Sequence, residues 1–441
     1  MRALLVLLML VTSFSVAADE YSAREPLRWL AAYLQIDTTN PPGNEAEAAD
    51  FLAGLLDDAG IPSQKLTSPG GRTSLYARVR ATAGNGRAIV LIHHMDVVPA
   101  RNDWKVEPFS GRSLKGRTWG RGAIDTKGLG IAQLAAILTT RDQLKTDVIF
   151  LAVADEELGG KEGAGWLVEA HPELFEDVDG VINEGGSNRV FGGRVLWWGI
   201  EVAQKRPLWL RATAYGRGGH ASGFNPRSAT HQLVMALARL VERPLAFRVS
   251  PAARLFVNSL AAVEGGSMED FAENMDARVA AGEVPGGLPL YFVDTIQVTA
   301  METGTASNVV LPVASAAIDI RLLPDTDADA LLAEIREILG PKIEVEVVLE
   351  SPMSDASPVD HPLYEAIATV LEVRGDVVPT MIAGVTDSRF FRQRGIPTYG
   401  VLPFAVEPQD MKGIHARNEN LREDVFLRGI ETLRRILLAY E

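Results

Sequence analysis

Three short apolar runs in this chain each break into a cluster of acidic or histidine side chains. Residues 89–92 run into His93-His94-Met95-Asp96, residues 148–153 into Asp155-Glu156-Glu157, and residues 181–182 into Asn183-Glu184. Runs this short suit buried strands, and the stretches between them carry apolar residues at helical spacing. Ile131, Leu134, Ala135 and Leu138 share one face of a helix over 128–140, and residues 163–170 form a shorter helix. Apolar strands alternating with helices predict an α/β fold, a mostly parallel sheet flanked by helices. In such sheets ligands bind at the carboxyl ends of the strands, which is where the three clusters fall.

The pattern changes near Arg206. Strands are expected over 209–215, 295–301, 314–322 and 343–349, and helices over 229–242 and 327–339. That order, β-α-β-β-α-β, is a compact α+β module of its own. Residues 250–287 read as a mostly helical addition within it. After Pro358 the α/β pattern resumes, with a helix over 363–373, a strand over 398–402 and a last helix over 423–440. The organisation expected is a leader at 1–18, a main α/β domain over 19–205 and 351–441, and an inserted α+β domain over 206–350.

The leader follows from Arg2, the apolar run 3–11 and the small residues Ser15, Val16, Ala17 and Ala18. This is the pattern of a cleaved secretory signal, too short for a spanning helix. A secreted or periplasmic protein is expected, with no stable membrane span after cleavage. The net charge of −14 argues against nucleic acid as a partner. The chain has no cysteine, so any metal site must draw on His, Asp and Glu.

A fourth cluster, residues 120–125 ending in Asp125, precedes a helix start at Thr126-Lys127-Gly128. Each cluster alone has an ordinary structural explanation: a hydrogen-bonded histidine at a strand end, a solvated acidic loop, a helix cap at Asp125. Together they place several carboxylates in one crevice, and the repulsion there is what a divalent cation offsets. No Gly-x-Ser-x-Gly elbow, His-Glu-x-x-His or phosphate-binding loop occurs in the chain.

His94-Met95-Asp96-Val97-Val98-Pro99 resembles the His-x-Asp-x-x-Pro motif of the di-zinc family of aminoacylases, glutamate carboxypeptidases and succinyl-diaminopimelate desuccinylases. The segment 120–128 resembles that family's Gly-x-x-Asp-x-Lys-Gly stretch, and Asp155-Glu156-Glu157 its adjacent glutamates. Gly219-His220-Ala221-Ser222, the loop 307–312 and Gly384-Val385-Thr386-Asp387-Ser388-Arg389 are similar to its later motifs, in the same order. The context of 155–165 looks closest to the Gly-X carboxypeptidase and N-acyl-amino-acid hydrolase branch.

The resemblance implies a zinc exopeptidase-like fold whose inserted domain serves as lid or dimerisation domain, so that a homodimer is compatible with it. It implies two Zn²⁺ ions bridged by Asp125, one completed by His94 and Glu184, the other by Glu157 and His415; Mn²⁺ or Co²⁺ would suit the same ligands. Glu156 would be the general base, and Asp96 would fix the His94 imidazole. His220 and Asn308 would stabilise the oxyanion, and Arg321 and Thr386 would hold the substrate carboxylate. The implied activity is cleavage of an amide next to a free C-terminal carboxylate, in a small peptide or an N-acyl amino acid. The alternatives are a dipeptidase and, in another class, a catalytically inactive binding module on the same fold. The resemblance also implies a cis peptide between Asp125 and Thr126.

Overall fold

A computed structural model of the chain describes residues 24–440, apart from 83 and 102. The expected leader at 1–18 lies outside these residues. Among the described residues no helix is long and apolar enough to cross a membrane.

The chain forms two compact units. Described residues up to Ile200, Pro358–Val377 and those from Arg394 onward make the first; Glu201–Ser357 and Val378–Gln393 make the second. The second unit thus takes more of the chain than the expected 206–350. Buried hydrogen bonds draw those extra segments in. The Arg392 guanidinium donates to both oxygens of Glu201, at 2.7 and 2.9 Å, and to the Ser357 hydroxyl at 3.1 Å. The Thr386 hydroxyl donates to Gln204 at 2.8 Å.

The main sheet contains β1 (Ser63–Thr67), β2 (Thr73–Val79), β3 (Ala88–His94), β4 (Asp147–Val153), β5 (Val178–Asn183), β6 (Arg194–Gln204), β7 (Asp376–Ile382) and β8 (Thr398–Val401). Their spatial order is β1-β2-β4-β3-β5-β8-β6-β7. The central strands β4, β3, β5 and β8 run parallel, and β1 and β2 join antiparallel. Every residue of β3 and β4 is buried, as interior parallel strands require. His94 pairs with Val153, and Leu91 with Ile182. The carboxyl ends of β3, β4 and β5 are therefore adjacent, and the three charged clusters share one edge.

The helix Lys127–Thr140 lies against β3. Gly130 allows this close approach, since a Cβ there would lie 2.2 Å from the His93 ring. His93 faces that helix, buried beside Tyr33 and Phe150, on the side of the strand opposite to its neighbour His94. Strands β1, β2, β6 and β7 were not expected from the sequence. In β6 the polar Glu201 and Gln204 interrupt the apolar pattern, and Pro379 interrupts β7. That proline is tolerated because β7 lies at the end of the sheet.

The second unit contains an antiparallel sheet in the order Thr295–Glu302, Val313–Leu322, Arg206–Tyr215, Ile343–Glu350. Leu233, Leu237, Leu331 and Ile335, from helices Ala229–Val241 and Ala328–Leu339, pack with Leu208, Leu210, Ile318 and Ile320 of the strands. Side chains of Ser228 and Asp327 cap the two helices. Between the first helix and the second strand lie three helices, Pro251–Glu264, Gly266–Glu273 and Met275–Ala280. Phe271 packs edge-on against Phe292 to hold them.

Candidate metal centre

His94, at the end of β3, has a ring that is 1% exposed. Its Nδ1 lies 2.9 Å from the main-chain oxygen of Asp96. A carbonyl can only accept, so Nδ1 carries a hydrogen, and Nε2 is the ring nitrogen turned toward the carboxylates. That Nε2 stands 3.0 Å from Asp125 Oδ1 and 3.6 Å from Glu184 Oε1. Asp125 reaches this position from the loop before the helix Lys127–Thr140, and its peptide bond to Thr126 is cis. The Thr126 hydroxyl donates to the His94 carbonyl at 3.0 Å and accepts the His94 N–H at 3.1 Å. These two bonds tie Asp125 to the end of β3.

The second oxygen of Asp125 lies 3.1 Å from His415 Nε2, which is also 3.1 Å from Glu157 Oε2. Two overlapping groups result, His94–Asp125–Glu184 and Asp125–Glu157–His415, with the donor atoms of each lying within 4.8 Å of one another. Each offers three protein ligands, the number catalytic metal sites use.

The charges at this edge call for a cation. Burial opposes protonation of His94, yet Glu184 and Asp125 outweigh it and hold the imidazole well above its ordinary pKa. Hydrogen bonds to Asp125 and Glu157 push His415 up to about 10. Burial raises the Glu157 carboxyl, with His415 opposing and the Asp125 charge adding to the rise. Three carboxylates and two imidazoles, with no thiolate, are a donor set that fits a pair of divalent ions.

Asp96 sits beneath this edge. Its carboxylate was expected to fix the His94 ring, but stands 3.6 Å from Nδ1, and the main-chain oxygen of Asp96 takes that hydrogen bond instead. The carboxylate oxygens are engaged elsewhere. They accept the main-chain N–H groups of Glu156 and Glu157, each at 3.1 Å, and the Asn40 amide at 2.8 Å. Asn40 carried no sequence signal that would have singled it out. Glu156 opens the short turn Glu156–Leu158 after Asp155, whose φ is +70°. Glu156 belongs to neither ligand group.

The remaining expected site residues lie in the second unit. His220 and Asn308 are neighbours across a short antiparallel pair, Gly219–His220 with Val309–Val310, and the Ala221 N–H donates to the Asn308 carbonyl at 3.0 Å. The His220 ring is exposed. The Ser222 N–H donates to its Nδ1 at 3.2 Å, which leaves Nε2 as the ring's donor. Arg321 is engaged by both oxygens of Asp319, at 2.7 and 2.8 Å, and lies over the Trp209 ring. Thr386 is buried against Gln204.

A mostly parallel α/β sheet with two groups of three possible metal ligands sharing one aspartate at its carboxyl edge is an arrangement suited to metal-dependent hydrolysis. Residues 90–439 match peptidase family M20/M25/M40, and the chain belongs to that family. Aminoacylase-1 of Pongo abelii is 27% identical over 419 residues, covering 92% of this chain and 93% of that protein. The N-fatty-acyl-amino acid synthase/hydrolase PM20D1 of Xenopus tropicalis is 26% identical over 383 residues, 80% of this chain and 72% of that one. The M20 family metallo-carboxypeptidase Sso-CP2 from Sulfolobus solfataricus shares the fold, with a TM-score of 0.73 at 21% identity, over 94% of this chain and 99% of that one. The protein is thus an amide or peptide hydrolase that uses a divalent metal.

Proposed function

We propose that this hydrolase cleaves an amide bond next to a free C-terminal carboxylate, as an N-acyl-amino-acid amidohydrolase or carboxypeptidase, with two Zn²⁺ ions held by His94, Asp125, Glu157, Glu184 and His415. The observation that carries the proposal is the pair of ligand groups sharing Asp125, with Glu156 beside them and outside both. Bound divalent ions supply Lewis-acid polarisation of the scissile carbonyl and acidify water. Glu156 takes the proton from the attacking water and delivers it to the leaving amine. Asp96 holds Glu156 in place through its main-chain N–H. His220 donates from Nε2 to the developing oxyanion, with Asn308 as its partner, and Arg321 and Thr386 recognise the substrate carboxylate. The similarity to aminoacylase-1 along most of the chain supports an acyl-amino-acid substrate over other amides.

The leader at 1–18 directs export, so the working form is the cleaved, secreted or periplasmic protein. The test is a turnover screen of that form, loaded in turn with Zn²⁺, Mn²⁺ and Co²⁺, on N-acyl amino acids, their carboxamides and free dipeptides. Turnover of N-acyl amino acids with loss of activity on the carboxamides supports the proposal. Turnover restricted to dipeptides with a free amine replaces it with a dipeptidase.

A further inference from the structure

Arg121 and Glu419 form an ion pair beneath the metal centre, 2.7 Å from Nη1 to Oε2, with side chains 2% and 0% exposed. Neither belongs to a ligand group. The Glu419 carboxylate also accepts three main-chain N–H groups. Gly122 donates to Oε2 at 3.0 Å, and Ile124 and Asp125 donate to Oε1 at 2.8 and 3.1 Å. One buried carboxylate thus curls the loop that presents Asp125. Arg121 works in the opposite direction: it donates to the Ala416 carbonyl at 2.6 Å and reaches the Gly413 carbonyl at 3.5 Å. Those carbonyls flank His415, whose φ is +53° and whose ring is 55% exposed. Side-chain hydrogen bonds of Arg121 and Glu419 thus join residues 120–125 to residues 413–419, beside the main-chain bond from the Gly120 N–H to the Glu419 carbonyl at 3.1 Å and the His415–Asp125 contact itself.

The two ligand groups depend on this pair unequally. Asp125 has a separate tie to His94 through Thr126, in two hydrogen bonds that involve neither Arg121 nor Glu419. On the other side, the main chain around His415 is held toward the Asp125 loop by Arg121, through the Ala416 and Gly413 carbonyls. Losing the pair leaves the His94–Asp125–Glu184 group its own anchor, while the His415 segment keeps the main-chain bond from Gly120 to Glu419 and the adjoining pairing of Asn420–Arg422 with Arg117–Trp119, neither of which reaches His415.

We propose that Arg121 and Glu419 are positioning residues for one metal position, that of Asp125, Glu157 and His415, and that the position of His94, Asp125 and Glu184 forms without them. This rests on the two-metal assignment. A burial role alone would not discriminate between the two positions, and the discrimination is what can be measured.

The experiment is a calorimetric Zn²⁺ titration of the metal-stripped full chain, alongside its thermal melting. The wild type should take up two ions; uptake of one only would overturn the two-metal assignment before any variant is made. Glu419→Gln keeps the volume but turns one accepting oxygen into an NH₂ group that faces N–H donors. One ion should then bind with wild-type affinity and the other at least roughly tenfold more weakly, the scale on which outer hydrogen-bond partners act on metal affinity. Arg121→Lys retains the charge but cannot span Glu419 and Ala416 together. It should show the same split, and it decides the matter if Glu419→Gln does not fold. Two unchanged affinities, or two affinities weakened alike with a fall in melting temperature, overturn the proposal.

Discussion

One carboxylate oxygen of Asp96 accepts the main-chain N–H of Glu156 at 3.1 Å. The other accepts the N–H of Glu157 at the same distance and the Asn40 amide at 2.8 Å. A single buried carboxylate thereby sets the backbone of both the proposed base and a proposed metal ligand, while the main-chain carbonyl of the same residue orients His94. Asp96 links three functional side chains, two of them through main-chain bonds.

Replacement of Asp96 by Asn puts an NH₂ group against N–H donors and should release the Glu156–Glu157 turn. Metal affinity should fall by roughly 10- to 100-fold, the usual scale for loss of an outer partner. Turnover at saturating metal should fall as well, because Glu156 also loses its anchor. Metal titration and kcat check this; wild-type values for both would show that the carbonyl bond to His94 suffices.

Glu156→Gln separates proton transfer from metal binding. Glu156 lies outside both ligand groups, so metal uptake should stay at the wild-type level while kcat falls by roughly 10²- to 10⁴-fold. A variant that lost an ion would exchange the roles of Glu156 and Glu157.

His220→Ala removes a ring whose Nε2 carries the available hydrogen. Loss of one oxyanion donor should lower kcat by roughly 10²- to 10³-fold and leave metal affinity unchanged. A kcat within about twofold of wild type, where such a donor should be worth at least a hundredfold, would remove His220 from the mechanism.

Lys205 is a test of stability in the second unit. It is fully buried and donates to the Val293 carbonyl at 2.7 Å. Burial pulls its pKa from 10.5 down to about 8, with Asp294 opposing and Arg321 adding to the fall. Between those two values the unfolded chain holds a proton that the folded chain has released, so this group's contribution to stability rises with pH. At pH 7 the buried ammonium costs at most about 3 kcal/mol. Melting curves of wild type and Lys205→Met at pH 7 and pH 10 should show the difference in Tm moving in favour of wild type as pH rises. A constant difference, or one moving the other way, would contradict the burial of a charged Lys205.

The parallel sheet and most of the ligand set were legible from sequence because they are local features. His94, Glu157 and Glu184 each follow a short apolar run, and such a run leaves its next residues at a strand end. Helix faces, such as the one holding Ile131 and Leu134, are likewise a matter of spacing. The strands that escaped notice, β6 and β7, carry Glu201, Gln204 and Pro379, which break the apolar pattern. Glu201 and Gln204 are paid for by Arg392 and Thr386, partners that no periodicity announces.

The sequence by itself determined which residues stand at the strand ends and which motifs the chain carries in which order. Asp125 stood out before a helix start, and His415 emerged from the resemblance of its motif to a family. Only the tertiary structure decided that these two meet over one carboxylate, that Asp96 serves the Glu156 turn, and that Arg121 and Glu419 bind the Asp125 loop to the His415 segment. The physical reason is the range of the interactions. Periodicity records which face of an element is buried, and that depends on neighbours three or four residues away. A hydrogen bond between distant segments depends on the direction in which each backbone arrives, and that direction is set by packing of the whole sheet.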